Sequence, residues 1–148
     1  MRTQNFAAEK IELTELANKL FMYTDAREWQ KLLDEVFTEN VWFDMSSAGS
    51  GVAQFLPAKE ICHMWQKGFE DLDAVHHQAG HYLISIMGEN ANIYAYAVAT
   101  HYKQNATNGK TRTFFGSYDL EAKSTAKGWR LSKFKYNLKY IDGNAMLV

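Results

Sequence analysis

Leu13, Leu16, Ala17, Leu20 and Phe21 recur at the three- and four-residue spacing that puts side chains on one face of a helix, so an amphipathic helix is predicted from about Phe6 to Tyr23. Asp25 stands three residues before Glu28, which is the Asp-x-x-Glu form of a capping box, and Trp29, Leu32, Leu33 and Val36 then repeat along one face of a second helix. Taken alone, Asp25 therefore reads first as an N-cap whose carboxylate accepts backbone amides. Val41-Trp42-Phe43-Asp44 has the makings of a short strand, and the Ser/Gly-rich stretch from Ser46 to Gly51 that of a loop. Pro57 suits the first turn of a third helix, whose inner face would carry Ile61, Trp65 and Phe69.

From about residue 77 the hydrophobic period changes from the helical one to two. Strands are predicted near 77–87, 91–105, 110–123 and 128–140, with turns at Gly88-Glu89-Asn90, Asn108-Gly109 and Lys127-Gly128. Connections this short exclude parallel crossovers between successive strands, so helices followed by an antiparallel meander predict an α+β fold. On the second long strand Ile93, Ala95, Ala97, Ala99 and His101 share one face. That small-residue stripe suits either close helix packing or the floor of a cavity with one polar group at depth. On the last strand Trp129 and Leu131 have one parity while Phe134, Tyr136 and Leu138 have the other, which predicts a bulge near Ser132-Lys133 or a change of buried face.

At 148 residues the chain supports one core, and no linker, repeat or low-complexity tract divides it, so residues 1–148 are expected to form a single domain. Its 9 Phe, 4 Trp and 8 Tyr exceed what a minimal core needs and can line a cavity. A formal net charge of −1 favours neither nucleic acid nor an anionic membrane. With no signal-like apolar run and no stretch of membrane-spanning length, the expected location is the cytoplasm. The single cysteine, Cys62, rules out an internal disulfide and reads as an ordinary buried thiol.

Phosphate-binding glycine loops, Gly-x-Ser-x-Gly and His-Glu-x-x-His are all absent, which leaves acid–base chemistry without a cofactor or metal as the expectation. The candidates are Asp25, Asp44, His63, His76, His77, His81 and His101, with Tyr23, Tyr118 and Tyr136 as hydrogen-bond donors. His76, His77 and His81 are crowded enough to suggest a metal in principle, but clustered histidines at a loop-to-strand junction more often bond to solvent or to the core. If the first helix and the sheet enclose a cavity, Asp25 at the helix junction and histidines on two neighbouring strands converge on it. A carboxylate holding an imidazole in one tautomer while the imidazole moves a proton is a standard acid–base pair. The expected pocket wall is made of Tyr23, Trp42, Trp65, Ala97, Ala99, Tyr118 and Tyr136.

Asp25-Ala26-Arg27-Glu28-Trp29 after an amphipathic helix, then Phe37-Thr38-Glu39-Asn40-Val41, resembles the opening of SnoaL-like proteins of the nuclear transport factor two-like superfamily. Gly116-Ser117-Tyr118 and Gly128-Trp129-Arg130 resemble that family's last hairpin, so the resemblance covers roughly residues 7–140. It implies a cone-shaped, curved antiparallel sheet closed by N-terminal helices, the cystatin-like α+β barrel. Within the family the pattern is most similar to the scytalone dehydratase branch, which implies Asp25, His77 and His101 as the acid–base centre of a lyase or isomerase acting on a small ring compound. The chain departs from that branch at Thr24 and Met45, where tyrosines are expected, and at Gly116 and Tyr118, where a serine and an asparagine are expected. The resemblance also implies a homo-oligomer, a trimer ahead of a dimer. Two rival readings are a noncatalytic small-ligand-binding domain and a structural subunit resembling the β subunit of ring-hydroxylating dioxygenases.

Overall fold

Helix α1 (Phe6–Asp25) begins where the Asn5 side chain accepts the amide of Ala8 at 3.2 Å. Residues 5–148 are described by a computed structural model of the chain. The predicted stripe is buried as expected, with Leu13, Leu16, Ala17, Leu20 and Phe21 all facing inward. Asp25 does not cap a following helix. It is the last residue of α1, and Arg27 (φ 58°) reverses the chain before the short α2 (Trp29–Lys31), whose N-terminus has no side-chain cap. The capping-box expectation fails because the Asp25 carboxylate is engaged elsewhere, by a residue 52 positions away. After α2 a widened turn, Leu32–Val36, buries Leu32 and Val36 and leads directly into the first strand.

The strands are β1 (Phe37–Asp44), β2 (Gln54–Pro57), β3 (Ala74–Met87), β4 (Asn90–Tyr102), β5 (Thr111–Thr125) and β6 (Gly128–Gly143), with helix α3 (Ala58–Gly68) between β2 and β3. They form one sheet in the order β2-β1-β6-β5-β4-β3. The last four strands are the predicted antiparallel meander. One pairing departs from an all-antiparallel sheet: β1 runs parallel to β6. The whole α3–β3–β4–β5 segment lies between those two strands, so their pairing is free of the hairpin constraint that makes the others antiparallel. The sheet is open, with β2 and β3 at its edges, and the helices cover its inner face.

The bulge expected on β6 is present. Glu121 pairs with Lys133 and Ala122 with Leu131, so Ser132 is the extra residue. The extra residue resets the alternation, which is why Trp129, Leu131, Phe134 and Tyr136 are all buried on the same inner face. Leu13, Leu20, Leu32, Ile61, Ile93, Leu120 and Leu131 are the largest fully buried apolar side chains of the layer between helices and sheet. Each contributes about 1.5–3 kcal/mol by leaving water. The alanine stripe of β4 divides: Ala91, Ala95 and Ala97 pack into this core, whereas Ala99 opens onto a cavity. Among the described residues no helix is long and apolar enough to cross a membrane.

Candidate functional site

Strand β3 lies at a sheet edge, so the amides on its free side have no strand partner. The His77 amide is covered instead by Asp25, whose Oδ2 accepts it at 2.7 Å. The other carboxylate oxygen, Oδ1, lies 2.5 Å from Nδ1 of the same histidine. One carboxylate thus grips both the backbone and the ring of His77 and restricts its rotation. The corner that carries Asp25 is itself braced, because Arg27 donates to the carbonyl of Leu72 at 2.6 Å, just ahead of β3. With Nδ1–H donated to Asp25, the Nε2 lone pair of His77 is the one left to accept a proton.

His101 stands diagonally opposite on β4. Ala99 is the direct partner of His77 and Val75 that of His101, so the two imidazoles share the inner face as diagonal neighbours, with Cα atoms about 7–8 Å apart. His101 is wedged between the rings of Phe69 and Phe114, at 5.6 and 5.1 Å between centroids. Arg112 faces it from β5 and donates its Nε–H to His101 Nδ1 at 3.1 Å. Burial first, and the Arg112 and His77 charges after it, bring the His101 pKa down to about 4 despite the opposing effect of Asp25.

Both histidines line a cavity of about 280 Å³, which α1, β1, α3 and the inner faces of β4, β5 and β6 enclose together with the Met45–Ser50 loop. Of the predicted wall, Trp65, Ala99, Tyr118 and Tyr136 are in place. Three expected members are not. Trp42 points to the opposite face of β1, packing edge-on against Phe55 at 5.0 Å, because Val41 and Phe43 take the inward positions on either side of it. Tyr23 lies outside the cavity lining, and its hydroxyl donates to Glu35 at 2.8 Å. Ala97 is buried in the core next to the cavity and does not reach it. Asp25 also lies behind the wall and acts on the cavity through His77.

The remaining candidates are accounted for locally. Asp44 accepts the amide and hydroxyl of Ser46 at 3.0 and 2.6 Å, which holds its carboxyl below the usual range and turns the chain after β1. His76 and His81 are exposed, and His81 (φ 53°) sits at a register shift on β3, with its ring against Tyr96. Cys62 is buried beneath α3, and burial pushes its thiol up to about 11. Among the described residues no three His, Cys, Asp or Glu side chains are grouped to hold a metal ion.

Sequence reasoning missed Arg112, which becomes visible only once the register of the β4–β5 hairpin places it opposite His101. At Gly116, one of the departures from the dehydratase pattern, an added Cβ would lie 2.6 Å from the Tyr136 hydroxyl and 2.3 Å from the carbonyl of Asn137. Gly116 therefore gives the Tyr136 ring its place beside Tyr118, 4.9 Å between centroids. Tyr136 is 4% exposed, and its hydroxyl has no partner among the described residues. Burial pushes the Tyr136 phenol up to about 12 and raises that of Tyr118 as well, so both stay protonated across the physiological range. Thr24, in contrast, lines the cavity with its hydroxyl already donated to Leu20 O at 2.6 Å.

The model of the SnoaL-like domain matches residues 7–135. The chain belongs to the SnoaL-like family. Similar solved structures include a protein of Kribbella flavida, 27% identical, with a TM-score of 0.91 over 97% of this chain and 98% of that one. A scytalone dehydratase candidate from Novosphingobium aromaticivorans is 10% identical, with a TM-score of 0.80 over 93% and 89% of the two chains. A hexachlorocyclohexane dehydrochlorinase from Novosphingobium barchaimii is 12% identical, with a TM-score of 0.76 over 94% and 92%. A search of curated proteins finds no significant match. Within the SnoaL-like fold the two histidines and the aromatic wall thus line one cavity, with the Asp25 carboxylate behind His77.

Proposed function

We propose that this SnoaL-like chain is a cofactor-independent acid–base enzyme, a lyase of the dehydratase kind or an isomerase, acting on a small apolar or aromatic ring compound held in the cavity. The observation that carries this reading is the Asp25–His77 pair, with the carboxylate on Nδ1 and the ring at the cavity wall. His77 Nε2 takes a proton from a C–H of the bound ring, and Asp25 stabilises the imidazolium that results. In a dehydration the C–H electron pair becomes the new C=C bond, the neighbouring C–O bond breaks, and the imidazolium proton leaves with the hydroxyl as water. In an isomerisation the same proton returns to a different carbon. The lining supports an uncharged, largely apolar ligand, because most of it is aromatic or aliphatic. Two of the structural neighbours are named for eliminations, one a dehydratase candidate and one a dehydrochlorinase.

The reading is tested by incubating the protein with a panel of cyclic alcohols and ring ketones and following dehydration or double-bond migration by mass spectrometry and NMR. Once a substrate is found, Asp25→Asn and His77→Ala should each lower kcat by about 10²–10⁴-fold, the usual contribution of a positioned acid–base group. Turnover unchanged in both variants would sink the assignment. Compounds that bind and are recovered intact over about pH 5–8, where a histidine changes charge, would favour a binding domain instead.

A further inference from the structure

His77 and His101 share one cavity, but their ring nitrogens are committed in opposite ways. The Nδ1 of His77 faces an acceptor, the Asp25 carboxylate, whereas the Nδ1 of His101 faces a donor, the Arg112 guanidinium. A guanidinium has only N–H groups to offer, so the nitrogen it bonds to must present a lone pair. His101 Nδ1 is therefore the acceptor nitrogen, and the hydrogen of the neutral ring sits on Nε2. A proton added to Nδ1 would break this bond and place two cations in contact. We propose that Arg112 is a positioning residue that locks His101 as a neutral Nε2–H donor, so that His77 moves the proton while His101 supplies only a hydrogen bond to the ligand.

The surroundings of His101 are consistent with this fixed state. Arg112 on β5, His77 on β3 and Asp25 at the end of α1 are the charged or titratable groups that act on it, and Phe69 and Phe114 flank its ring. Of these, Asp25 alone favours the charged form, and it is already bonded twice to His77. Arg112 is held from behind as well, because its Nη1 donates to the carbonyl of Ala145 at 3.3 Å. That residue belongs to a tail anchored by Asn144, which donates to the carbonyls of Gly109 and Val148. The guanidinium is thus pinned between the tail and the imidazole. In a reaction of the kind proposed above, a neutral Nε2–H donor steadies an oxygen atom of the ligand without competing for the proton that His77 carries.

The division of labour rests on the acid–base reading of this site, but the tautomer does not, so the two can fail separately. The five histidines are few enough to resolve in long-range ¹H–¹⁵N correlation spectra of the labelled full-length chain. The wild-type spectrum should show His101 as a single Nε2–H tautomer that does not titrate between pH 7 and about pH 5. In Arg112→Met, His101 should populate both tautomers and its midpoint should rise by about one pH unit or more, with the His77 resonances unchanged. An Nδ1–H tautomer in the wild type, or titration of its His101 above about pH 5.5, would overturn the proposal whether or not the variant folds. So would a folded Arg112→Met whose His101 resonances match the wild type. If Asp25→Asn and His77→Ala leave turnover intact while the His101 tautomer is as expected, the acid–base reading falls and the role of Arg112 stands.

Discussion

Asp25 shows how one side chain can look the same locally and do something different globally. A carboxylate three residues before a glutamate at the start of an apolar repeat reads as a helix cap, and only the neighbouring strand supplies the partner that claims it. His77 and His101 were legible because strand alternation puts them on the face that also carries the alanines, although the resemblance was needed to prefer His77 over His76 and His81. Trp42 was placed wrongly because a strand of eight residues leaves its inward parity open until its neighbours are known, and a shift of one residue turns every side chain to the other face. Tyr136 offers a prediction at this scale. Its hydroxyl is buried without a partner among the described residues, so Tyr136→Phe removes an unmet donor, and the variant should be as stable as the wild type or more stable by about 1 kcal/mol. Urea unfolding followed by tryptophan fluorescence checks this, and a loss of more than about 1 kcal/mol would show that the oxygen is satisfied in solution.

At the scale of elements, the meander, its turns and the Ser132 bulge followed from changes of period and parity. Strand β2 and the parallel β1–β6 pair did not, because both depend on partners brought together by the rest of the fold rather than on a local pattern. The predicted loop after β1 is tied down: Ser47 Oγ donates to the carbonyl of Tyr136 at 2.7 Å and accepts the amide of Leu138 at 2.8 Å. A single hydroxyl thereby joins the cavity's loop to β6. Ser47→Ala should cost about 1–2 kcal/mol of stability and leave the Leu138 amide without its partner. Hydrogen exchange should then quicken at Leu138 and through residues 45–51, while strand β4 keeps its protection. Equal exchange in the wild type and the variant would show that the loop is held by something else.

For the whole molecule, the α+β class was legible from helices preceding strands, and the family resemblance supplied the cone that periodicity alone could not. The burial of His101 ties the site to the stability of the fold. Well above pH 6.5 its imidazole is neutral in both the folded and the unfolded chain, so the group adds no pH dependence there. As the pH falls from 6.5 the unfolded chain takes up the proton while the folded one, with its pKa near 4, resists it. Stability should therefore drop through that window and level off below the folded pKa, a loss on the order of 3 kcal/mol from this residue. His101→Phe should flatten the curve between pH 6.5 and 4, and urea titrations at several pH values measure the difference. An unaltered slope would place the acid sensitivity in the carboxylates instead.

The tail from Asn144 to Val148 is more than a trailing end. Leu147 is buried against Leu72, Val75 and Ala106, the Val148 carbonyl accepts the amides of Thr107 and Asn108, and Ala145 holds Arg112. The setting of His101 at the cavity wall is consequently adjustable from outside it. Substitutions in residues 144–148, which do not line the cavity, would change how firmly the guanidinium is held and so retune the imidazole beyond it. On the proposed acid–base reading, the tail is a place to vary activity while every side chain that lines the cavity is left as it is.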